Sequence, residues 1–194
     1  DIVSYVYGIA LGVIELKRST VSITEGIRQN LDNQKHLFIG PFFTTMQLIM
    51  AGNDLEGLTY GAIEAKENYY LKWKEVSPEH NPNDTYLLKL TKPIRELAAT
   101  VEHKLDKNII ELLHKERFLE ILHDFVVFDR GQKKLCRANQ YFGVKAAQEH
   151  VRNKKSGIIW HTQGSGKSLT MDWLTKWIRE FNHNARVLII TDRT

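Results

Sequence analysis

The 194 residues hold a single cysteine, Cys136, so no disulfide framework can form and a reducing, cytoplasmic setting is expected. No apolar run approaches the length of a membrane span, and no signal-peptide pattern is present, so no membrane role is expected. A large excess of one charge sign is missing too. A net charge of +4 is compatible with a polyanionic partner without arguing for one. His103, His114 and His123 lack the compact spacing of metal ligands and read as surface or packing residues. What is there, 42% hydrophobic and 26% charged residues, suits an ordinary soluble protein with a real core. The chain opens on Asp1 rather than Met, and the expectation is an internal piece of a longer polypeptide.

The stretch Gly157–Met171 carries the clearest chemistry. An apolar run (Ile158, Ile159, Trp160) reads as a strand that enters a glycine loop, Gly164-Ser165-Gly166, followed by Lys167-Ser168. Leu169, Trp173, Leu174, Trp177, Ile178 and Phe181 then recur every three or four residues, which predicts a helix with one buried face. A second β-rich run follows at Arg186–Thr191. A strand that turns into a helix through glycines aims several backbone N–H groups at one point beside the positive end of the helix dipole. Lys167 can reach the β- and γ-phosphates of a nucleotide, and Ser168 can ligate the accompanying Mg²⁺. The strict phosphate-loop pattern asks for glycine at position 161, where this chain has His161, so the match is to the looser form of helicase-type ATPases. No acidic strand of the kind such ATPases need follows the loop.

At the other end, Asp1–Tyr7 and Ile9–Lys17 read as two β-runs joined at Gly8, both apolar enough to lie inside a sheet. Glu15 and Lys17 stand out, two residues apart and so on one face of their strand. A two-residue loop would set Asp1 opposite Ile14. A longer loop or a bulge sets it opposite Glu15, and that register is predicted. Ser22 to Glu25 reads as a capping box opening a helix to about His36, with Gln29 near its middle. Gly40-Pro41 breaks the chain; Phe42–Ala51 and Gly57–Ile63 read as strands around a turn at Gly52-Asn53-Asp54. Lys66, Tyr69, Tyr70, Lys72 and Trp73 interleave bases with aromatics, which suits DNA contact or amphipathic edge packing. Ser77–Asp84 is a loop, and Leu87–Asp124 is helix-rich, with two helices meeting near His114-Lys115. Between Arg130 and Lys155 eight Lys/Arg stand against one acid, Glu149, as a solvated connector or a phosphate-tracking surface. Asn139–Phe142 begins a further helix.

Asp1 followed by Glu15-Leu16-Lys17 resembles the D…ExK signature of PD-(D/E)xK nucleases. Gln140, 27 residues before Lys167, resembles the Q-motif glutamine, whose amide can pair with both edges of adenine. In order, D…ELK, RANQYFGVKAA and IIWHTQGSGKSLTM with VLIITDR resemble the R (motor and restriction) subunit of type I restriction-modification enzymes. The resemblance implies an α/β chain: a partial PD-(D/E)xK nuclease sheet (1–84), a helical, basic connector (85–137) and the start of a RecA-like P-loop domain (138–194). It also implies Asp1 and Glu15 as Mg²⁺ ligands, Lys17 as catalytic lysine and Gln29 as the supporting helix residue, although Asn33 stands where the family pattern has tyrosine. Gln140 would read adenine, Gly164, Ser165, Gly166 and Lys167 would cradle the phosphates of ATP, and Ser168 would meet the nucleotide's Mg²⁺. The implied partners are double-stranded DNA and the methyltransferase and specificity subunits. The implied activity is ATP-driven translocation coupled to Mg²⁺-dependent cutting, with these residues by themselves inactive. The alternatives are a helicase-like motor with an inert N-terminal sheet, and a non-catalytic binding module.

Overall fold

In the computed structural model, which describes residues 1–79 and 82–191, the elements gather into two groups. Asp1–Glu75 lies with Leu90–Arg137, and Val76–Lys89 with Ala138–Thr194. Taken together, the described residues mix helices with a small sheet, as an α/β reading requires. In the first group, β1 (Ile2–Val6) and β2 (Ile9–Leu16) fold back at Tyr7-Gly8, where both residues have positive φ, 50° and 82°. That is the primed turn whose twist matches antiparallel strands. The register then slips: Tyr5 pairs with Ala10 but Ser4 with Gly12, leaving Leu11 as a bulge, so Ile2 faces Ile14. The next position along sets Asp1 opposite Glu15, the register the sequence predicts. The hairpin as a whole is not interior, however. In the order β1-β2-β3-β4, β1 is an edge, and Ile2 and Tyr5 are exposed.

β2 runs parallel to β3 (Leu48–Asn53), which pairs antiparallel with β4 (Gly57–Gly61). A parallel neighbour requires a crossover, and α1 (Ile23–Asn33) supplies it. One sheet face carries Val13, Glu15, Ile49 and Ala51. There Ile23 and Ile27 of α1 pack on Ala51, while Phe43 and Met46 pack on Val13 and Ile49. On the other face α3 (Lys104–Leu113) approaches Gly52 through Leu105, and Asn108 accepts from the Leu58 amide at 3.2 Å. Coverage on both faces explains why β3 and β4 are buried at every position rather than at alternate ones.

Several local expectations change. Phe42–Ala51 is not one strand: Gly40–Thr45 forms a 3₁₀ turn started by Pro41, and β3 begins only at Leu48. Phe43 and Met46, three apart, both enter the core, a spacing that fits three residues per turn and not a strand. The helix after Ser22 ends at Asn33 rather than His36. Its capping box does not close. Ser22 accepts from the Thr24 amide at 3.3 Å, Glu25 turns to Arg28 at 2.9 Å, and the Ile23 amide is met by Glu56 at 2.9 Å. Asn53 holds Glu56 there by accepting from the amides of Leu55 and Glu56 and donating to the Val21 carbonyl. Two helices do meet at His114: α3 and α4 (Lys115–Asp124). A hairpin, β5 (Val126–Asp129) and β6 (Gln132–Leu135), occupies the start of the basic stretch, with Lys134 paired to Asp129. Tyr70 and Trp73 pack inward, as edge packing predicts.

The second group contains α5 (Ala138–Arg152) packed on α6 (Lys167–Phe181). Of the α6 face read as buried, Trp173 is buried, its neighbours are half-buried, and Phe181 is exposed and stacked on Trp177 at 4.8 Å. Ile158–Trp160 and Arg186–Thr191 do not form strands. A strand exists by its neighbour's hydrogen bonds, and among the described residues neither segment has a ladder; Trp160 is 91% exposed and Ile190 83%. Asp192 and Arg193, part of the run resembling a further helicase motif, lie outside the described residues. Arg152 caps the Trp177 ring at 4.9 Å and pairs with Glu149. The basic stretch is thus divided between the two groups, with several of its charges in local pairs. α2 (Thr85–Ala98) begins in the second group and ends in the first.

Away from the sheet's charged face, Arg117 is only 3% exposed. It pairs with Glu75, one contact at 3.2 Å, donates to the Glu111 carbonyl, and lies 5.2 Å from the Trp73 ring centre. Glu75 also accepts from the Trp73 indole at 3.1 Å. Removing one member of a buried pair leaves the other charge uncompensated, which costs about 3–5 kcal/mol. Arg117→Ala is therefore expected to lower unfolding stability by that amount in urea denaturation; a loss of less than about 1 kcal/mol would mean that the pair is solvated.

Candidate functional site

Two sets of polar residues are assembled, one in each group. The first lies where β2 leaves the sheet beneath α1. Glu15 is 4% exposed, and a carboxylate so far from water must be paired. Lys17, on the same strand face, donates to Glu15 Oε1 at 2.9 Å. The same ammonium reaches up to Gln29 Oε1 on α1, so two acceptors from different elements fix one lysine. Asp1, across the hairpin, accepts from the Leu16 amide at 3.4 Å through Oδ1. Asp1, Glu15, Lys17 and Gln29, singled out from the sequence, thus lie at one end of the β1–β2–α1 unit. Asn33 takes no part in the Lys17–Gln29 contact.

Sequence reasoning missed the residues that set the height of α1. Asn30, buried, donates to the Met50 carbonyl of β3 at 2.9 Å, and Glu56 takes the helix's first amide. That bond holds the Glu56 carboxyl below its usual range. The only available signal was a polar residue at a helix position otherwise apolar, Asn30 between Ile27 and Leu31. The Glu56 cap comes from a turn 33 residues away and leaves no local trace.

The oxygens offered here suit a hard divalent cation. Two carboxylates are few, but Mg²⁺ characteristically keeps several waters and takes one or two carboxylates plus substrate phosphate. No group of three or more His, Cys, Asp or Glu able to hold a metal occurs among the described residues. A softer or fully protein-caged metal is therefore not matched.

The second set is the glycine loop. Gly164 and Gly166 both have positive φ, 77° and 81°, where a side chain would be strained. Gly166 is also the N-cap of α6, and with no side chain it leaves the first turn without a side-chain acceptor. Such a helix start can receive an anion. Ser165 Oγ is buried without a hydrogen bond. Lys167 lies folded over the loop, donating to the carbonyls of His161 at 3.0 Å and Thr162 at 3.3 Å. These are neutral acceptors, which a phosphate would outcompete for a cation. Ser168 is exposed beside it.

Gln140 does not stand free. It is 2% exposed, and its Nε2 donates to the Gly166 carbonyl at 3.0 Å, so α5 holds the loop's exit. One turn along α5, Gly143 admits the His161 ring: a Cβ there would lie 3.1 Å from Cε1. Burial and the Lys167 charge push the His161 imidazole below its ordinary value. His161 is a third residue whose role was not read from sequence; its signal was the departure from glycine at that position.

Comparison with known proteins matches the two ends of the chain to different families. Residues 1–68 match the type I restriction enzyme R protein N terminus, and residues 139–194 match the SWI2/SNF2 ATPase family. Over its whole length the chain is 24% identical to the putative type I restriction enzyme MjaIXP endonuclease subunit of Methanocaldococcus jannaschii, covering 20% of that protein. It is 25% identical, again over all of the chain and 18% of the relative, to the type I restriction enzyme HindI endonuclease subunit of Haemophilus influenzae. A 36% match to the putative MjaVIIIP endonuclease subunit of the same archaeon covers 46% of the chain and 10% of the relative. The chain thus spans about a fifth of the length of the relatives it matches end to end. No helix among the described residues is long and apolar enough to cross a membrane. With a match to the R-protein N terminus ahead of a match to an ATPase family, the chain is similar over its whole length to type I restriction enzyme endonuclease subunits.

Proposed function

We propose that the polypeptide containing this chain translocates double-stranded DNA with ATP and cuts it in a Mg²⁺-dependent reaction. It would do so in the cytoplasm, in an assembly with methyltransferase and specificity subunits. The observation that carries the nuclease half is the double hold on Lys17, between Glu15 of the sheet and Gln29 of the helix, with Asp1 across the hairpin. Asp1 and Glu15 would hold the cation, which when bound supplies Lewis-acid stabilisation of charge at phosphorus. Lys17 keeps its ammonium at the edge of the carboxylates, where it can orient a water toward the phosphate and offset developing negative charge. Gln29 fixes the direction of the ammonium, and the near-complete burial of Glu15 keeps competing water from its pair with Lys17.

In the second group, Lys167 would leave the carbonyls of His161 and Thr162 for the nucleotide phosphates, with the N–H groups at the start of α6 completing the cradle. Ser168 would meet the nucleotide's Mg²⁺. Gln140, bonded to the loop through the Gly166 carbonyl, would read adenine.

A second reading, a helicase-like motor with an inert N-terminal sheet, is favoured by the same 2.9 Å Lys17–Glu15 contact taken as a structural ion pair. Lys17→Met in the full-length protein with its partner subunits separates the two. The nuclease reading expects plasmid cutting to fall about 10²–10³-fold, as for loss of one preorganised charge donor, with ATPase unchanged. Cutting at the parent rate would leave the accessory-domain reading standing. For the loop, Lys167→Ala is expected to weaken ATP binding roughly 10–100-fold, the value of one charge-assisted contact, and to abolish translocation. Equilibrium binding of a fluorescent ATP analogue and a strand-displacement assay read these; translocation that persists would refute the assignment.

A further inference from the structure

Gly26 sits inside α1, on the face that also buries Ile23, Ile27 and Asn30. Glycine is among the poorest residues for a helix interior, so its place here calls for a steric reason. A Cβ at Gly26 would lie 3.1 Å from the Ala51 Cβ, 3.4 Å from Lys17 Cγ and 3.5 Å from Glu15 Cγ. The tightest of these neighbours is the least able to move. Ala51 is fully buried in β3, and its strand is hydrogen-bonded to β2 on one side and β4 on the other. Any added atom must therefore be accommodated by α1. The helix is pinned at its start by Glu56 on the Ile23 amide and further along by Asn30 on the Met50 carbonyl. Gln29, three residues beyond Gly26 and so on a neighbouring part of the helix surface, holds the Lys17 ammonium.

We propose that Gly26 is a positioning residue of the Asp1–Glu15–Lys17–Gln29 site: its missing side chain sets how closely α1 lies over β2 and β3, and thereby seats Gln29 on Lys17. The inference rests on the nuclease reading of that site. Lifting α1 by a few tenths of an ångström withdraws Gln29 while Glu15 and Lys17 stay on their strand. The ammonium then keeps one of its two holds and loses its fixed direction.

The test uses the full-length protein in its assembly. Gly26→Ala is expected to lower the turnover of Mg²⁺-dependent plasmid cutting by roughly tenfold or more, the scale of a modest misplacement of a reacting group, with KM for DNA and ATPase unchanged. The exchange variant G26A/A51G moves one methyl from the strand to the helix and reopens the space. Its cutting should return to within about threefold of the parent, a recovery that general damage to the helix would not show. If Gly26→Ala alone does not fold, the exchange variant decides. The proposal is overturned by G26A cutting at the parent rate, or by an exchange variant that fails to fold or stays as slow as G26A. Lys17→Met distinguishes the deeper failure. If Lys17→Met cuts normally, the nuclease reading falls and the role of Gly26 with it; if Lys17→Met is inactive while G26A is unaffected, only the role of Gly26 falls.

Discussion

A carboxylate that is almost wholly buried governs the first group. A carboxylate at 4% exposure is costly to bury unpaired, and Lys17 is the partner that its own strand supplies two residues later. Strand alternation puts both side chains on one sheet face, and that face is covered by a helix that also gives the lysine an acceptor. α1 does this with Gln29, and it can come close enough only because position 26 has no side chain. The parallel pairing of β2 with β3 follows from the same helix, since α1 is the crossover between them. Charge, crossover and close approach thus form one linked arrangement around Glu15.

The glycine loop is held by a different logic. No buried carboxylate dictates its shape; backbone groups do. Two positive-φ glycines turn the chain, Gln140 ties the Gly166 carbonyl to α5, and His161 rests on Gly143 one turn away. Both ends of the loop are therefore set by one helix, while the Lys167 ammonium donates to the neutral carbonyls of His161 and Thr162. A rigid frame around an exchangeable contact is what an anion site needs, because the frame's ordering is complete before the anion arrives.

Much of the first site could be read from residues alone, because its rules are local. Alternation puts Glu15 and Lys17 on one face, the primed turn fixes the hairpin, and a one-residue slip decides whether Asp1 meets Glu15. What could not be read depends on distant chain. The start of α1 is capped by Glu56 on the Ile23 amide rather than by Glu25 on the Ser22 amide, because the Asn53 turn delivers a carboxylate there from 33 residues away. Phe43 and Met46 are apolar enough for a strand, yet the fixed φ of Pro41 and two core contacts three residues apart select a 3₁₀ turn. The apolar runs at 158–160 and 186–191 have strand composition but no ladder, which shows how far composition falls short of a strand.

Asn33 bears on how the first site is supported. Where the family pattern has a tyrosine four residues after the glutamine, this chain has a short amide, and Gln29 reaches Lys17 without it. Support for α1 comes instead from beneath the helix: Asn30 on the Met50 carbonyl, Glu56 on the Ile23 amide, and Tyr70, which packs against the cluster of Ile23, Ile27 and Ala51. Burial raises the Tyr70 phenol far above its ordinary value, and its hydroxyl is buried without a hydrogen bond. A buried, unmet hydroxyl costs about 1–3 kcal/mol, so the ring's place must be held by its apolar contacts. Those contacts lie under the same helix that Gly26 lets down onto the sheet. The aromatic support therefore sits with Ile23, Ile27 and Ala51 under α1, while Gln29, which holds Lys17, is itself exposed.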